Sequence, residues 1–302
     1  MTKKVLLIDV DSTIPNIALM KYSTYYKSIG YEVGFNIADP DIVVASIIFD
    51  YNKFKATSWK FFYPNAEFII GGPGYDPTIR LPPEVEMCDL DYSLYPHYTD
   101  SIGRVTIGCP RKCYFCKVPE MGGLRYIKPV SEQYRGGVMR LLDDNILASR
   151  KVWRETADWF KQTKTVSEFD ALDVRLMNSE IAEDLHDIAC VSRFRFAFDI
   201  TAYEEKIRAG HKFLMDARLS ISKILYYIYL HDEANIPDAM YRCSIVKEEF
   251  KCMPFIMINQ SVPLTPWLKK IKKRGCSPGL TGILSTEQIF SKKDVYFRGR
   301  YV

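Results

Sequence analysis

Three cysteines within eight residues constrain this chain more than anything else in it. Cys109, Cys113 and Cys116 lie in the run Ile107-Gly-Cys-Pro-Arg-Lys-Cys-Tyr-Phe-Cys-Lys-Val-Pro119, a C-x3-C-x2-C spacing with Phe115 just before the last cysteine. Three thiolates this close can ligate three irons of one cluster and leave a fourth iron without a protein ligand. An open iron can bind a substrate or cofactor, whereas a four-cysteine cluster is saturated and suited mainly to moving electrons. Zinc is the first competing reading, but zinc sites pair C-x2-C with a second such pair or with H-x3-H. This chain has four histidines, and the nearest, His97, is twelve residues upstream with no ligand spacing. A disulfide plus one free thiol would fit a secreted protein, but no signal-peptide pattern precedes the motif.

At 302 residues the chain has room for one large domain or two ordinary ones. Its first apolar run is short and ends at Asp9, so it predicts a strand, not a leader or a membrane span. The expectation is a cytoplasmic protein with no membrane association. The eight cysteines agree with a reducing compartment, because a thiolate loop needs unoxidised sulfur. Cys88, Cys190, Cys243, Cys252 and Cys276 lack metal-site spacing and read as core or near-surface thiols, with a second cluster on the last three as the alternative. The net charge of +4 is unevenly spread: residues 266–302 hold nine Lys or Arg against two acidic residues, leaving the rest near −3.

Residues 1–96 alternate strand and helix signals. Val5–Val10, Tyr31–Phe35, Ile42–Phe49 and Glu67–Ile70 read as strands, and Pro15 and Asn16 open a helix from Ile17 to Ser28 that Gly30 closes. Such alternation predicts a doubly wound parallel α/β sheet with its ligands at the carboxyl ends of the strands. Asp9, Asp11 and Ser12, with the Gly71–Gly74 turn, would line that crevice, or the glycines serve only a tight connection. The Pro- and Tyr-rich stretch from Leu81 to Pro96 reads as a linker. Beyond it, strands are expected at Val105–Gly108, Gly137–Leu142, Ala171–Leu176, Phe194–Phe198, Ile221–Tyr229 and Phe255–Ile258, with helices between them. Six such units make a partial (β/α)6 barrel over residues 97–265, and the cysteine loop leaves the end of the first strand, where barrels place their sites. Residues 266–302 form a basic tail.

The cysteine loop resembles that of the radical SAM superfamily. Pro15–Met20, Gly71–Asp76, Asp91–Tyr95, Cys116–Pro119, Leu142–Ser149 and Leu172–Leu176 extend the likeness to small microbial and phage radical SAM proteins with a cobalamin-binding-like N-terminal domain. The resemblance implies a [4Fe-4S] cluster on Cys109, Cys113 and Cys116 whose open iron chelates S-adenosylmethionine. It also implies an electron donor such as flavodoxin or ferredoxin. The usual D-x-H-x-x-G motif is absent, since the turn reads Asp9-Val-Asp-Ser-Thr-Ile-Pro-Asn16 without a histidine. The expectation drawn from that absence is the fold without bound cobalamin.

Asp143, Asp144 and Asn145 stand where the superfamily places a motif for the ammonium of S-adenosylmethionine, and carboxylates with an amide suit a cation. Gly-Gly is missing, and the same residues could simply cap the helix starting near Ile146. Asp173 and Arg175, two apart, would share a strand face, with Arg175 toward the cofactor's carboxylate and Asp173 orienting it, or they form a structural ion pair. Asp199 would take ribose hydroxyls or a substrate donor. Phe115 and Tyr114 would shield the cluster or touch adenine, and Arg111 and Lys112 would ease its reduction. His186, His211 and His231 are expected at the surface or at caps.

Three functions compete. The first is radical chemistry on a nucleobase or nucleic acid, from the basic tail with Trp267, Phe290, Tyr296 and Phe297 among its charges. The second is the same chemistry on a small molecule or peptide, including methyl or methylthio transfer. The third is a non-catalytic iron–sulfur protein.

Overall fold

The computed structural model describes residues 2–259 and 262. The basic tail and Cys276 lie outside them. The chain opens with β1 (Lys4–Asp9), α1 (Ile17–Ser28), β2 (Glu32–Gly34), β3 (Ile42–Ser46), α2 (Lys53–Phe62), β4 (Glu67–Gly71) and α3 (Pro83–Glu86). The four strands form one parallel sheet in the order β2-β1-β3-β4. Side chains on a strand alternate faces, so Val5 and Leu7 pack with Leu19, Tyr22 and Tyr26 of α1, while Leu6 and Ile8 pack with Ala56 on the α2 side. Both faces are covered, which is why these strands read as unbroken apolar runs.

Asn16 caps α1 by accepting from the Leu19 amide at 3.2 Å, and its amide nitrogen donates to Ser46 Oγ at 2.9 Å, tying the helix start to the end of β3. The proline-rich connection is pinned along α1. Buried Lys21 pairs with Glu86 at 2.9 Å, and Asp91 accepts from Ser23 Oγ and Lys27 Nζ, both at 2.6 Å.

Then follow β5 (Ser101–Gly103), β6 (Thr106–Ile107), β7 (Arg125–Tyr126), β8 (Met139–Leu141), α4 (Arg150–Thr163), β9 (Ser167–Phe169), α5 (Ser179–Asp187), β10 (Phe194–Ala197), α6 (Glu204–Asp216), β11 (Ile224–Leu230), α7 (Ile236–Ser244) and β12 (Met253–Ile258). β5-β8-β9 and β10-β11-β12 are parallel sheets, joined by a parallel bridge between Leu172 and Phe196. One large core of aromatic and aliphatic side chains lies between these strands and the helices.

Two strands differ from the sequence expectation. Val105–Gly108 is not the first parallel strand; β5 is, and β6 turns aside to pair antiparallel with β7, bracketing the cysteine loop. Asp143 accepts from the amides of Val105 and Thr106, so those donors are lost to a parallel neighbour. Nor is Ala171–Leu176 a strand. Asp173 accepts from the Arg175 amide and turns the chain into a 3-10 segment, Val174–Leu176.

That turn is held from behind by α6. A Cβ on Gly210 would collide with the Val174 carbonyl oxygen, so the helix approaches closely only because position 210 is glycine. Gly210→Ala is expected to lower stability by about 1–3 kcal/mol, the usual cost of overpacking a filled core. Urea unfolding would read this as a lower midpoint with an unchanged slope.

Candidate functional site

The cysteine loop hangs between β6 and β7 and begins at Gly108, whose φ of +88° permits the sharp exit from the strand. Inside it the Cys116 amide donates to the Cys113 carbonyl at 3.1 Å, closing a turn between the last two cysteines. All three thiols are free and partly buried. Burial pushes the Cys116 thiol up to about 11, with Cys113 and Cys109 adding to the rise and the Val118 amide opposing it. The Cys116 thiol therefore resists ionising. Among the described residues no three His, Cys, Asp or Glu side chains converge on the position of a single metal ion. A cluster spreads its thiolates over separate irons, and this donor set suits it.

The strand-end residues divide into two groups. Asp143 is buried, and both its oxygens are engaged: it accepts from the Val105 amide at 3.2 Å, the Thr106 amide at 2.5 Å and Thr106 Oγ1 at 2.7 Å. Burial pushes its carboxyl up to about 6 against those bonds. Asp144 accepts from the Gly108 amide at 2.8 Å and faces Arg104 at 3.7 Å. These two carboxylates hold the mouth of the loop. None of the three residues caps the helix; Ser149 caps α4.

Asn145 differs from both. It is buried, and its amide nitrogen donates to Cys109 Sγ at 3.3 Å and to Asp173 Oδ2 at 3.4 Å. Its Oδ1 is buried with no partner. An orphaned acceptor beside the cysteine loop marks a place where a donor from outside the chain is wanted.

Asp173 and Arg175 do not share a strand face, because the 3-10 turn folds one back onto the other. Arg175 donates from Nε and Nη2 to the two Asp173 oxygens at 2.7 and 3.0 Å, and Arg111 from within the loop adds a bond of 2.5 Å. Burial works to raise the Asp173 carboxyl, but the two guanidiniums prevail and hold it below the ordinary carboxylate range. Arg175 also lies over the Tyr203 ring at 4.3 Å.

Asp199 follows β10 on the same rim. Burial pushes its carboxyl up to about 6, with Arg242 and Arg175 opposing and Asp173 reinforcing. The folded chain thus binds a proton there that the unfolded chain has released, so stability falls as pH rises from about 4 to about 6 and is level above. Asp199→Asn is expected to remove that part of the slope, at most about 3 kcal/mol, in urea midpoints measured at pH 4.5 and 7.

Phe115 joins an aromatic group that sequence reasoning did not assemble. It stacks on His231 with ring centroids 6.0 Å apart and lies 5.6 Å from Tyr229, while Tyr114 Oη bonds His231 Nε2 at 2.8 Å. The His231 Nδ1 is buried and unpartnered. His211 is buried too, bonded to Tyr226 Oη at 3.0 Å, so it belongs to the core and not the surface. The available signal for His231 was its place one residue beyond β11.

The N-terminal sheet meets this site from one side, through Lys117 of the loop and Asp50 after β3, 2.6 Å apart. Asp11 accepts from the amides of Ile48 and Phe49 and from Asn52, and Asp9 from the Ser12 amide and Tyr95 Oη. At Gly72 and Gly74 a Cβ would strike the backbone of Ile47 and Phe49, so these glycines serve a close loop contact. No helix among the described residues is long and apolar enough to cross a membrane.

No protein-family model matches the sequence, and no curated protein matches it. Two solved structures of the cobalamin-dependent S-adenosylmethionine radical enzyme OxsB are similar in fold, each with a TM-score of 0.55. The one with aqua-cobalamin and S-adenosylmethionine bound is 12% identical, and the one with aqua-cobalamin alone is 11% identical. Each match covers 88% of this chain and 54% of the other, so this chain spans about half the length of those structures.

The likeness overturns one expectation. The histidine-free Asp9–Asn16 turn predicts no cobalamin, yet the solved structures similar to this fold carry it. The absence of one motif is therefore no ground for excluding the cofactor.

Proposed function

We propose that this chain is a radical SAM enzyme of the cytoplasm, with a cobalamin-type N-terminal domain followed by a partial (β/α)6 barrel. Its cysteine loop would hold a [4Fe-4S] cluster through Cys109, Cys113 and Cys116. Asn145 carries the reading: its Oδ1 is buried and unpartnered while its other end touches a cysteine sulfur. When bound, such a cluster would supply the electron for reductive cleavage of S-adenosylmethionine to a 5′-deoxyadenosyl radical, the species that would abstract hydrogen from the substrate.

The chain's own residues bind and orient. Asn145 Oδ1 accepts from the ammonium, a charge-assisted bond in a buried site. Arg111 and Arg175 offer positive charge toward the carboxylate while Asp173 keeps them in place. Asp199, with its raised carboxyl, would meet hydroxyls, and Phe115 with His231 presents a flat aromatic wall. Asp143 and Asp144, through their bonds to Val105, Thr106 and Gly108, would keep the loop mouth in place.

For a corrinoid the support is the shared fold alone. The crevice carboxylates Asp9 and Asp11 already have internal partners, and none of the buried unpartnered atoms among the described residues lies in the first domain. A nucleobase or nucleic-acid substrate rests on the basic tail, and binding of tRNA that weakens steeply with salt would support it.

Anaerobic reconstitution, reduction with dithionite and chromatography for 5′-deoxyadenosine test the proposal. Release of 5′-deoxyadenosine from S-adenosylmethionine is the expected result. Its absence from protein that has taken up iron and sulfide would leave a non-catalytic iron–sulfur protein.

A further inference from the structure

The outer face of α2 is apolar and open to water. Phe54, Phe61 and Phe62 are 66%, 87% and 72% exposed, although phenylalanine is ordinarily a core residue. The helix is held by its other side, where Ala56 is buried and Trp59 and Tyr63 pack against the sheet. Folding therefore gives no reason for three rings to face solvent, and such a patch marks an interaction surface. Phe54 and Phe61 are seven residues apart, two helical turns, so they lie on one stripe with Phe62 beside it.

Charge indicates what the stripe fits. Every charged residue of α2 is a lysine: Lys53, Lys55 and Lys60. Lys53 and Lys55 flank Phe54 in sequence, and Lys60 precedes Phe61. Lys53 donates to the Tyr75 carbonyl at 3.0 Å and lies over its ring at 4.7 Å, and Lys60 lies over the Phe68 ring at 5.8 Å. Two of the three cations are thus fixed beside the rings. Asp50, just before the helix, is neutralised by Lys117 at 2.6 Å. A second copy of this chain docked through the same stripe would set lysines against lysines across a two-fold axis. The helix also holds no Leu, Ile, Val or Met, so its exposed face offers flat rings for stacking and no aliphatic anchor for acyl chains.

We propose that α2 is a docking surface for single-stranded nucleic acid, with bases stacked on Phe54 and Phe61 and phosphates on Lys53, Lys55 and Lys60. Along the helix axis the two rings are about 10 Å apart, roughly three times the base spacing of a duplex strand. They therefore suit bases splayed from a single strand and not neighbours within a stack. Docking through α2 needs neither cluster nor S-adenosylmethionine, so it stands or falls separately from the radical reading.

The test is fluorescence anisotropy of a labelled oligouridylate with the full chain at 50 and 200 mM salt, where binding is expected to weaken as salt rises. Phe54→Ala and Phe61→Ala should each weaken binding about fivefold or more, with the salt dependence kept because no charge is lost. Lys55→Ala should instead reduce the slope of log affinity against log salt by about 0.7. Tyr241→Ala, which removes a half-exposed ring on α7, should bind like the wild type. Both phenylalanines are exposed, so urea midpoints should not fall in their variants. A wild-type chain that binds no oligouridylate would overturn the proposal. So would a Phe54→Ala/Phe61→Ala double variant with unchanged affinity, since the contact would then belong to residues 266–302 or another surface. A double variant that loses only self-association in sedimentation, or only binding to phosphatidylserine vesicles, would give the stripe to a second copy or a membrane and overturn it too.

Discussion

Serine in place of Cys109, Cys113 or Cys116, one at a time, is expected to reduce 5′-deoxyadenosine formation to background and to strip most of the iron. Three thiolates are the whole protein ligand set of a cluster with one open iron, so losing one leaves two irons without a protein ligand. A hydroxyl does not replace a thiolate on iron at neutral pH. The other thiols provide the control. Burial pushes the Cys243 and Cys252 thiols up to about 12, so they are inert packing groups far from ionisation. Cys88 lies in the connection after α3, and its side chain donates to the Glu84 carbonyl at 3.2 Å. Cys88→Ser should keep both iron and turnover. Iron and sulfide assays beside product chromatography check the prediction, and a loop-cysteine variant with full iron and turnover would refute it.

The second large effect concerns Asn145. Asn145→Ala removes a buried acceptor at this rim that has no partner among the described residues. A hydrogen bond to a charged group contributes about 1.5–3 kcal/mol, so S-adenosylmethionine should bind roughly 10- to 150-fold more weakly. Equilibrium dialysis on cluster-loaded protein measures this directly. Asn145→Asp keeps an acceptor at the same place and should retain most of the affinity. An alanine variant with loaded cluster and unchanged affinity would show that the ammonium is held elsewhere. Asp143→Asn makes a useful contrast, because both oxygens of Asp143 are committed to Val105 and Thr106. Its cost should appear in unfolding and not in cofactor affinity.

What was legible in the sequence was what local patterning controls. α1 runs from Ile17 to Ser28 as Asn16 and Gly30 predict, because a cap and a left-handed glycine act within one turn. The parallel strands of the N-terminal sheet follow their apolar runs. The illegible parts depend on partners distant in the chain. The strand expected at Val105–Gly108 gives way to β5 and β6 because Asp143, some 38 residues on, takes its amides. The strand expected at Ala171–Leu176 ends early because the Asp173 carboxylate prefers a nearby amide and two arginines to a ladder position. His231 meets Tyr114 across 117 residues, a pairing that no spacing rule anticipates. The histidine-free Asp9–Asn16 turn misleads in another way, because one missing side chain does not describe a whole binding surface.

The account turns on one open iron beside Asn145. Mössbauer spectra of the chain reconstituted with iron-57, taken with and without S-adenosylmethionine, test it most directly. The account predicts that one of about four iron sites changes its signal when the cofactor binds, while the other three, held by Cys109, Cys113 and Cys116, do not. Four sites that are the same with and without S-adenosylmethionine would contradict it.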